Sequence, residues 1–237
     1  MRIITVGDIH GKSIWKEIKP EKYDKIIFIG DYVDAFKYSD GEILYNLNNI
    51  IRFKEENSNK VVLLLGNHDI QYMFSYNKYG CSGYRHEMYP TLHILFNEKR
   101  NLFLPYYYLK SKSGQYLWTH AGIHEGWYTQ YYLPQYLKKY ELQDWPIEET
   151  LLEAFYKEER TLFQVGHLRG GFADVGGIFW ADMRLTSKDP LKNYHQIVGH
   201  TRTDEIKSFK KDETTSITFV DCLDSELPDF YEQIMTI

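Results

Sequence analysis

Asp8 and His10 in GDIHG, Asp31 and Asp34 in GDYVD, Asn67 and His68 in GNHD, His120 in THAG and His200 in GHT are the side chains of this sequence best equipped for chemistry. They share a position. Each motif follows directly on an apolar run: IITV (3–6), KIIFI (25–29), VVLLL (61–65), QYLW (115–118) and QIV (196–198). A lone Asp in such a place is an ordinary turn former or helix cap, so recurrence, not any one residue, carries the reading. Asp8, Asp31, Asn67, His10, His120 and His200 together form a mixed oxygen and nitrogen donor set without thiolate. That set suits Mn²⁺, iron, Zn²⁺ or Ni²⁺, and neither a structural Cys₄ zinc nor an all-oxygen Ca²⁺ site. So many donors exceed the needs of one catalytic ion with an open position and match two ions sharing a bridging carboxylate. Two ions ~4 Å apart can hold a bridging hydroxide as nucleophile and stabilise an in-line displacement at phosphorus. His68, next to Asn67, reads as a proton donor.

The elements that must position these groups follow from the same pattern. Up to residue 75 the chain alternates buried-strand runs with helical stretches, around 12–18 and over EILYNLNNIIRFKEE (42–56). Strands apolar on both faces and separated by helices predict a parallel sheet joined by right-handed crossovers. Ligands of such sheets gather at the carboxyl ends of the strands, and glycines there let the backbone turn sharply. Residues 84–100 predict a helix with Pro90 at its start or a break. LFLPYYYLK (102–110), SKSG and QYLWTH (115–120) predict a hairpin. Residues 124–165 read as mostly helical, GHLRGGFADVGG (166–177) as a glycine-rich loop, and 196–198, 206–221 and 229–237 as β structure. The expectation is one α/β domain over 1–237 with a helical insertion at about 124–175.

Composition narrows the class. The chain has 237 residues, net charge −5 and only two cysteines, Cys81 and Cys222, far apart. There is no disulfide framework or paired-cysteine metal site, and no global basic field for a nucleic-acid backbone, which disfavours that partner without removing it. The sequence shows no signal peptide and no run approaching ~20 apolar residues, so a cytoplasmic protein without a membrane partner is expected. Aromatic residues are 16% of the chain. The segment WYTQYYLPQYLKKY (127–140) could line a cleft and stack a base, although such stripes more often pack helices. His86, His93, His124, His167 and His195 have no motif context and are assigned to structure or surface.

GDIHG, GDYVD, GNHD, THAG and GHT in this order, with IFWADMR, resemble the calcineurin-like metallophosphoesterases, specifically the phosphoprotein-phosphatase branch and its bacterial and phage members. The motifs run from residue 7 to 202. The resemblance implies an α/β fold, a four-layer α/β/β/α sandwich with a dimetal site at the strand ends. By matching motif it implies that Asp8 and His10 hold one ion, Asp31 bridges, and Asn67, His120 and His200 hold the other. His68 would be the general acid, oriented by Asp34. Two metal ions are the implied cofactors, with Mn²⁺ expected to serve in vitro and iron, zinc or nickel as alternatives. The implied activity is hydrolysis of phosphomonoesters by attack of a metal-bridging hydroxide, on a phosphorylated protein or small molecule.

Two departures matter. The branch follows GDYVD with Arg-Gly, whose guanidinium grips the substrate phosphate, whereas this chain has Asp34-Ala35-Phe36. Position 69 is Asp instead of Glu. Because Arg is the best bidentate reader of phosphate, Arg169 and Arg184 are the candidates to replace the clamp. Otherwise the enzyme needs no clamp and acts on nucleotide anhydrides or diesters, such as dinucleoside polyphosphates or cyclic nucleotides.

Overall fold

The runs at 3–6, 26–29 and 61–65 are apolar at consecutive positions because both of their faces are covered. In the computed structural model, which describes residues 1–74, 81–135 and 146–237, they form β1 (Arg2–Val6), β2 (Lys25–Phe28) and β3 (Val61–Leu64). These strands are parallel, with Ile4 beside Ile26 and Ile26 beside Val61. Ile4, Val6, Ile26, Phe28 and Leu63 pack in one core with Ile43, Leu47 and Ile50 of α1 (Asp40–Glu56). Their sequence neighbours Ile3, Ile27, Val62 and Leu64 pack on the other side, against Trp118 and Ile197 of a second sheet. Alternation along the strand thus divides residues between a helix layer and a sheet layer. The start of α1 is set by Ser39, which accepts from the Glu42 amide while Glu42 reaches back to the Ser39 amide.

The first sheet runs β10-β1-β2-β3-β4, where β4 is Phe103–Leu104 and β10 is Tyr231–Ile234. The last strand pairs antiparallel with the first, Arg2 opposite Ile234. The second sheet runs β5-β6-β7-β9-β8, made of Tyr106–Ser111, Gly114–Thr119, His195–Val198, Ser216–Phe219 and Lys207–Lys210 (β8). Its β6, β7 and β9 are parallel neighbours. Helices α2 (Asn67–Met73) and α3 (Tyr89–Glu98) pack on each other and into the α1 core. Helix α4 (Ile147–Tyr156) meets β5, and the Glu148 carbonyl accepts from the Tyr106 hydroxyl. Two sheets flanked by helices are the layered α/β/β/α arrangement expected.

Two local readings change, and the packing reading of the aromatic segment holds. Segment 102–110 is not one hairpin arm: Phe103 and Leu104 join β3 in parallel, and the chain crosses to the second sheet at Tyr106. Pro105, which has no N–H to give a ladder, marks the break. The stretch near 12–18 forms short 3₁₀ turns, Ile14–Glu17 and Pro20–Lys22, because Pro20 stops a longer helix. The aromatic segment buries Trp127 and Tyr132, stacked with centroids 5.0 Å apart, so this part of it is core and not cleft lining. Residues 136–145, which hold the rest of that segment and part of the expected insertion, lie outside the described residues. Among the described residues no helix is long and apolar enough to cross a membrane.

Candidate metal centre

Each strand delivers its motif at the carboxyl end. Asp8 and His10 follow β1, Asp31 and Asp34 follow β2, and Asn67 and His68 open α2 after β3; His120 follows β6 and His200 follows β7. All of them except Asp34 and His120 line one cavity of about 430 Å³. His10, Asp31, Asp34 and His200 sit at φ of 41°, 52°, 61° and 64°. Left-handed backbone costs non-glycine residues on the order of 1–3 kcal/mol each and persists only where the surroundings impose it. Glycine clears space for the carboxylates: a Cβ on Gly66 would stand 2.0 Å from Asp31 Oδ1, and one on Gly199 2.2 Å from Asp8 Oδ1.

The donor atoms face one another. His10 Nδ1 donates to the Val33 carbonyl at 2.8 Å and His120 Nδ1 to that of Ile29 at 3.1 Å, which leaves both Nε2 lone pairs directed inward. His120 Nε2 lies 2.8 Å from Asn67 Oδ1, 3.2 Å from His200 Nδ1 and 3.4 Å from Asp31 Oδ2. His10 Nε2 is 3.6 Å from the same Asp31 oxygen. Asn67 is turned this way by Cys81, whose Sγ accepts from Asn67 Nδ2 at 3.1 Å. A proton on His200 Nδ1 could satisfy one of these approaches; the others set acceptor against acceptor. Burial pushes His10 and His120 down to about 3 and His200 well below the usual imidazole range. Burial, reinforced by Asp221 beside Asp8 and by Asp8 beside Asp31, holds both carboxyls well above theirs. Neutral imidazole nitrogens and buried carboxyl oxygens crowded on a common space, with backbone amides of His68 and His200 donating to Asp31 and Asp8, are what divalent cations relieve, so the residues present fit a metal centre. The donors form two groups, His10–Asp31–His68 and Asp31–His120–His200, which share Asp31.

His68 Nδ1 is 3.0 Å from Asp34 Oδ2, and Asp34 is held in turn by Gln71 Nε2 and the Tyr72 hydroxyl. Burial pushes Asp34 up to about 7 and His68 down to about 4. Asp69, fully buried, gathers the ends of β2 and β3: Oδ2 accepts from the amides of Asp31 at 2.7 Å and Gly66 at 2.8 Å, and Oδ1 from that of Tyr32 at 2.9 Å.

Of the two candidate arginines, one reaches the cavity. Arg169 lines it, with Nε 2.8 Å from Asp182 Oδ2 and Nη2 donating to Thr201 Oγ1. Arg184 is mostly exposed, binds Asp182 Oδ1 at 2.8 Å and is not part of the cavity wall. Its place in the first turn after Asp182 directs it back onto that carboxylate. The 166–177 loop is close-packed at Gly171 and Gly177, where a Cβ would stand 2.0 Å from the Val165 carbonyl and 2.2 Å from that of Leu162, while Gly170 and Phe172 face solvent. His124 caps the Gly126 amide away from the site. Sequence reading passed over Asp221, Arg202 and Trp180, all in the cavity wall. Asp221 had a signal, because it too ends an apolar run, SITFV.

The model of the calcineurin-like phosphoesterase family matches residues 1–204. Among solved structures, a cold-active protein-tyrosine phosphatase of a Shewanella species is 15% identical over 98% of this chain and 74% of its own, with a TM-score of 0.51. A protein serine/threonine phosphatase of Saccharomyces cerevisiae is 17% identical over 95% and 69%, with a TM-score of 0.46. No curated protein matches the chain.

Proposed function

This chain belongs to the calcineurin-like phosphoesterases and is a hydrolase of phosphoric esters, and we propose that it removes phosphoryl groups from monoesters at the Asp31-centred site. The observation that carries this reading is one carboxylate, Asp31, common to two donor groups, one of which includes the imidazole of the His68–Asp34 pair. Asp8, His10 and Asp31 would hold one ion, and Asp31, Asn67, His120 and His200 the other. Such ions activate water as a nucleophile and neutralise charge developing on phosphorus oxygens.

The protein groups divide the remaining work. Arg169, pinned between Asp182 and Thr201, presents its guanidinium from the cavity wall to a phosphate oxygen, in the role of the arginine missing after Asp34. Asp34 fixes Nδ1 of His68, so Nε2 is the atom that can hand a proton to the departing oxygen. Burial alone favours the neutral pair, with Asp34 raised and His68 lowered. An arriving phosphate dianion shifts that balance toward imidazolium, with Asp34 as counter-ion. Gln71 and Tyr72 hold Asp34 in place and cannot compete for the proton.

The second reading, cleavage of anhydrides or diesters, is favoured by Ala35 and Phe36 standing where the branch has its arginine. A panel of p-nitrophenyl phosphate, bis-p-nitrophenyl phosphate, phosphoserine and phosphotyrosine peptides and diadenosine tetraphosphate, each with added Mn²⁺, separates the readings. Monoester turnover tenfold or more above that of the diester and anhydride supports the first, and the reverse order overturns it.

A further inference from the structure

We infer that the small second cavity lined by His68, Phe36 and Tyr38 is a leaving-group subsite built for leaving groups that carry negative charge of their own. The inference rests on the phosphoesterase reading above. A general acid must stand at the departing oxygen, so whatever the oxygen belongs to lies on the acid's side of the phosphoryl group. His68 and His10 are in the wall of the 430 Å³ site cavity and also of a second cavity of about 180 Å³. That volume is close to the ~150 Å³ that takes a benzene-sized guest. A larger void of about 660 Å³ adjoins Arg169 and Trp180, but neither His68 nor any other imidazole lines it.

The lining selects the ligand. Phe36 is 81% exposed, a large apolar ring directly after the buried Asp34-Ala35 pair, and with Tyr38 it lines the cavity. Lys12, Lys37 and Arg202 converge on a single carboxylate, Asp224, at 3.1, 4.0 and 3.0 Å. Lys12 is buried and also donates to the Asp8 carbonyl, so it belongs to the scaffold. The side chains of Lys37 and Arg202 are 81% and 68% exposed. The cationic ends are solvated, and Asp224, 18% exposed, keeps Lys12 at 3.1 Å when they leave, so both cations can turn to an anionic guest. Beside the phosphate contact given to Arg169, the chain thus carries an aromatic and cationic wall one step further out, on what leaves.

The test compares leaving groups matched in departure. The chain with Mn²⁺ is assayed on p-nitrophenyl phosphate and on 3-carboxy-4-nitrophenyl phosphate, and on phosphoserine peptides flanked by aspartates or by lysines. The peptide arms and a diadenosine tetraphosphate arm tell a protein source of the charge from a nucleotide source. We expect kcat/KM to favour the carboxylated ring and the acidic peptide on the order of three- to tenfold, the effect of two exposed cations. The double variant Lys37→Glu/Arg202→Glu should reverse that ratio, and Phe36→Ala should lower kcat/KM for ring-bearing substrates relative to the serine peptides. Calorimetric binding of 3-carboxy-4-nitrophenol should weaken in the double variant, a readout independent of turnover. Turnover with no charge preference, or a preference that the double variant leaves intact, overturns the subsite while the phosphoesterase reading stands. Absence of turnover on every substrate overturns that reading and the subsite with it.

Discussion

Asp69→Ala tests whether the site is held up by one carboxylate that touches no proposed ligand's side chain. Asp69 is fully buried and accepts three backbone N–H groups, from Asp31, Tyr32 and Gly66. Alanine leaves all three donors buried and unpaired, at about 1–3 kcal/mol each. Removing the carboxyl also ends its own desolvation, which is considerable: burial pushes Asp69 up to about 7 despite the amides that favour its charge. Setting that relief against a summed loss of about 3–9 kcal/mol, Asp69→Ala should cost roughly 3–5 kcal/mol, a large fraction of the roughly 5–15 kcal/mol that holds a typical domain together. Asp69→Asn can keep its oxygen on Asp31 and Gly66 and turns its NH₂ toward the Tyr32 amide, so one bond is lost and the cost falls to about 1–3 kcal/mol. Urea unfolding of chelated protein reads both. A second readout is metal content after dialysis, because the amide of Asp31 is the anchor that keeps this residue at φ 52°. Alanine at position 69 within about 1 kcal/mol of wild type, or indistinguishable from asparagine, would refute the reasoning.

Asp31→Asn should lower the bound metal from two equivalents to one or none by elemental analysis, since both donor groups lose the same oxygen. His68→Asn should keep metal content and slow hydrolysis of a phosphoserine peptide on the order of 10²–10⁴-fold, but slow p-nitrophenyl phosphate much less, because that leaving group departs unaided; equal losses would place the acid elsewhere. Arg169→Ala should raise KM for a monoester with metal content unchanged, while Arg184→Ala leaves KM alone, and the opposite pattern would exchange their roles. Cys81→Val removes the acceptor that turns Asn67 and should weaken metal affinity about 10–100-fold, as loss of an outer partner does; Cys81→Ser should recover most of it in a competitive chelator titration.

The proposed ligands were legible because strand ends are local: a run such as VVLLL says where the chain will be straight, and the next residues must stand at its tip. The same logic would have found Asp221 after SITFV. It could not have separated Arg169 from Arg184. Their difference lies in how each leans on Asp182 and Thr201, contacts made by chain segments that sequence spacing does not relate. Phe103 and Leu104 were misplaced for a similar reason, since an apolar dipeptide before proline fits either sheet and only the packing chooses. Cys81 carried no signal at all, because its role is an orientation given to another side chain 14 residues away.

Four of the six proposed donors, Asp8, His10, Asp31 and Asn67, belong to the first sheet, and His120 and His200 to the second. The apolar seam between the sheets is thin beside the core under the helices, a short stack around Ile27, Leu64, Trp118 and Ile197. Ions held by both sets of donors therefore act as a clasp across that seam, and its strength is set by supply. At a free concentration 100 times the dissociation constant, binding adds about 2.7 kcal/mol to the folded state, and at 1,000 times about 4.1. Cohesion between the two halves of the sandwich becomes a dial turned from outside the chain: metal-starved protein should exchange the amides of β6 and β7 faster than those of β1 to β3, and should be cut by proteases before it melts.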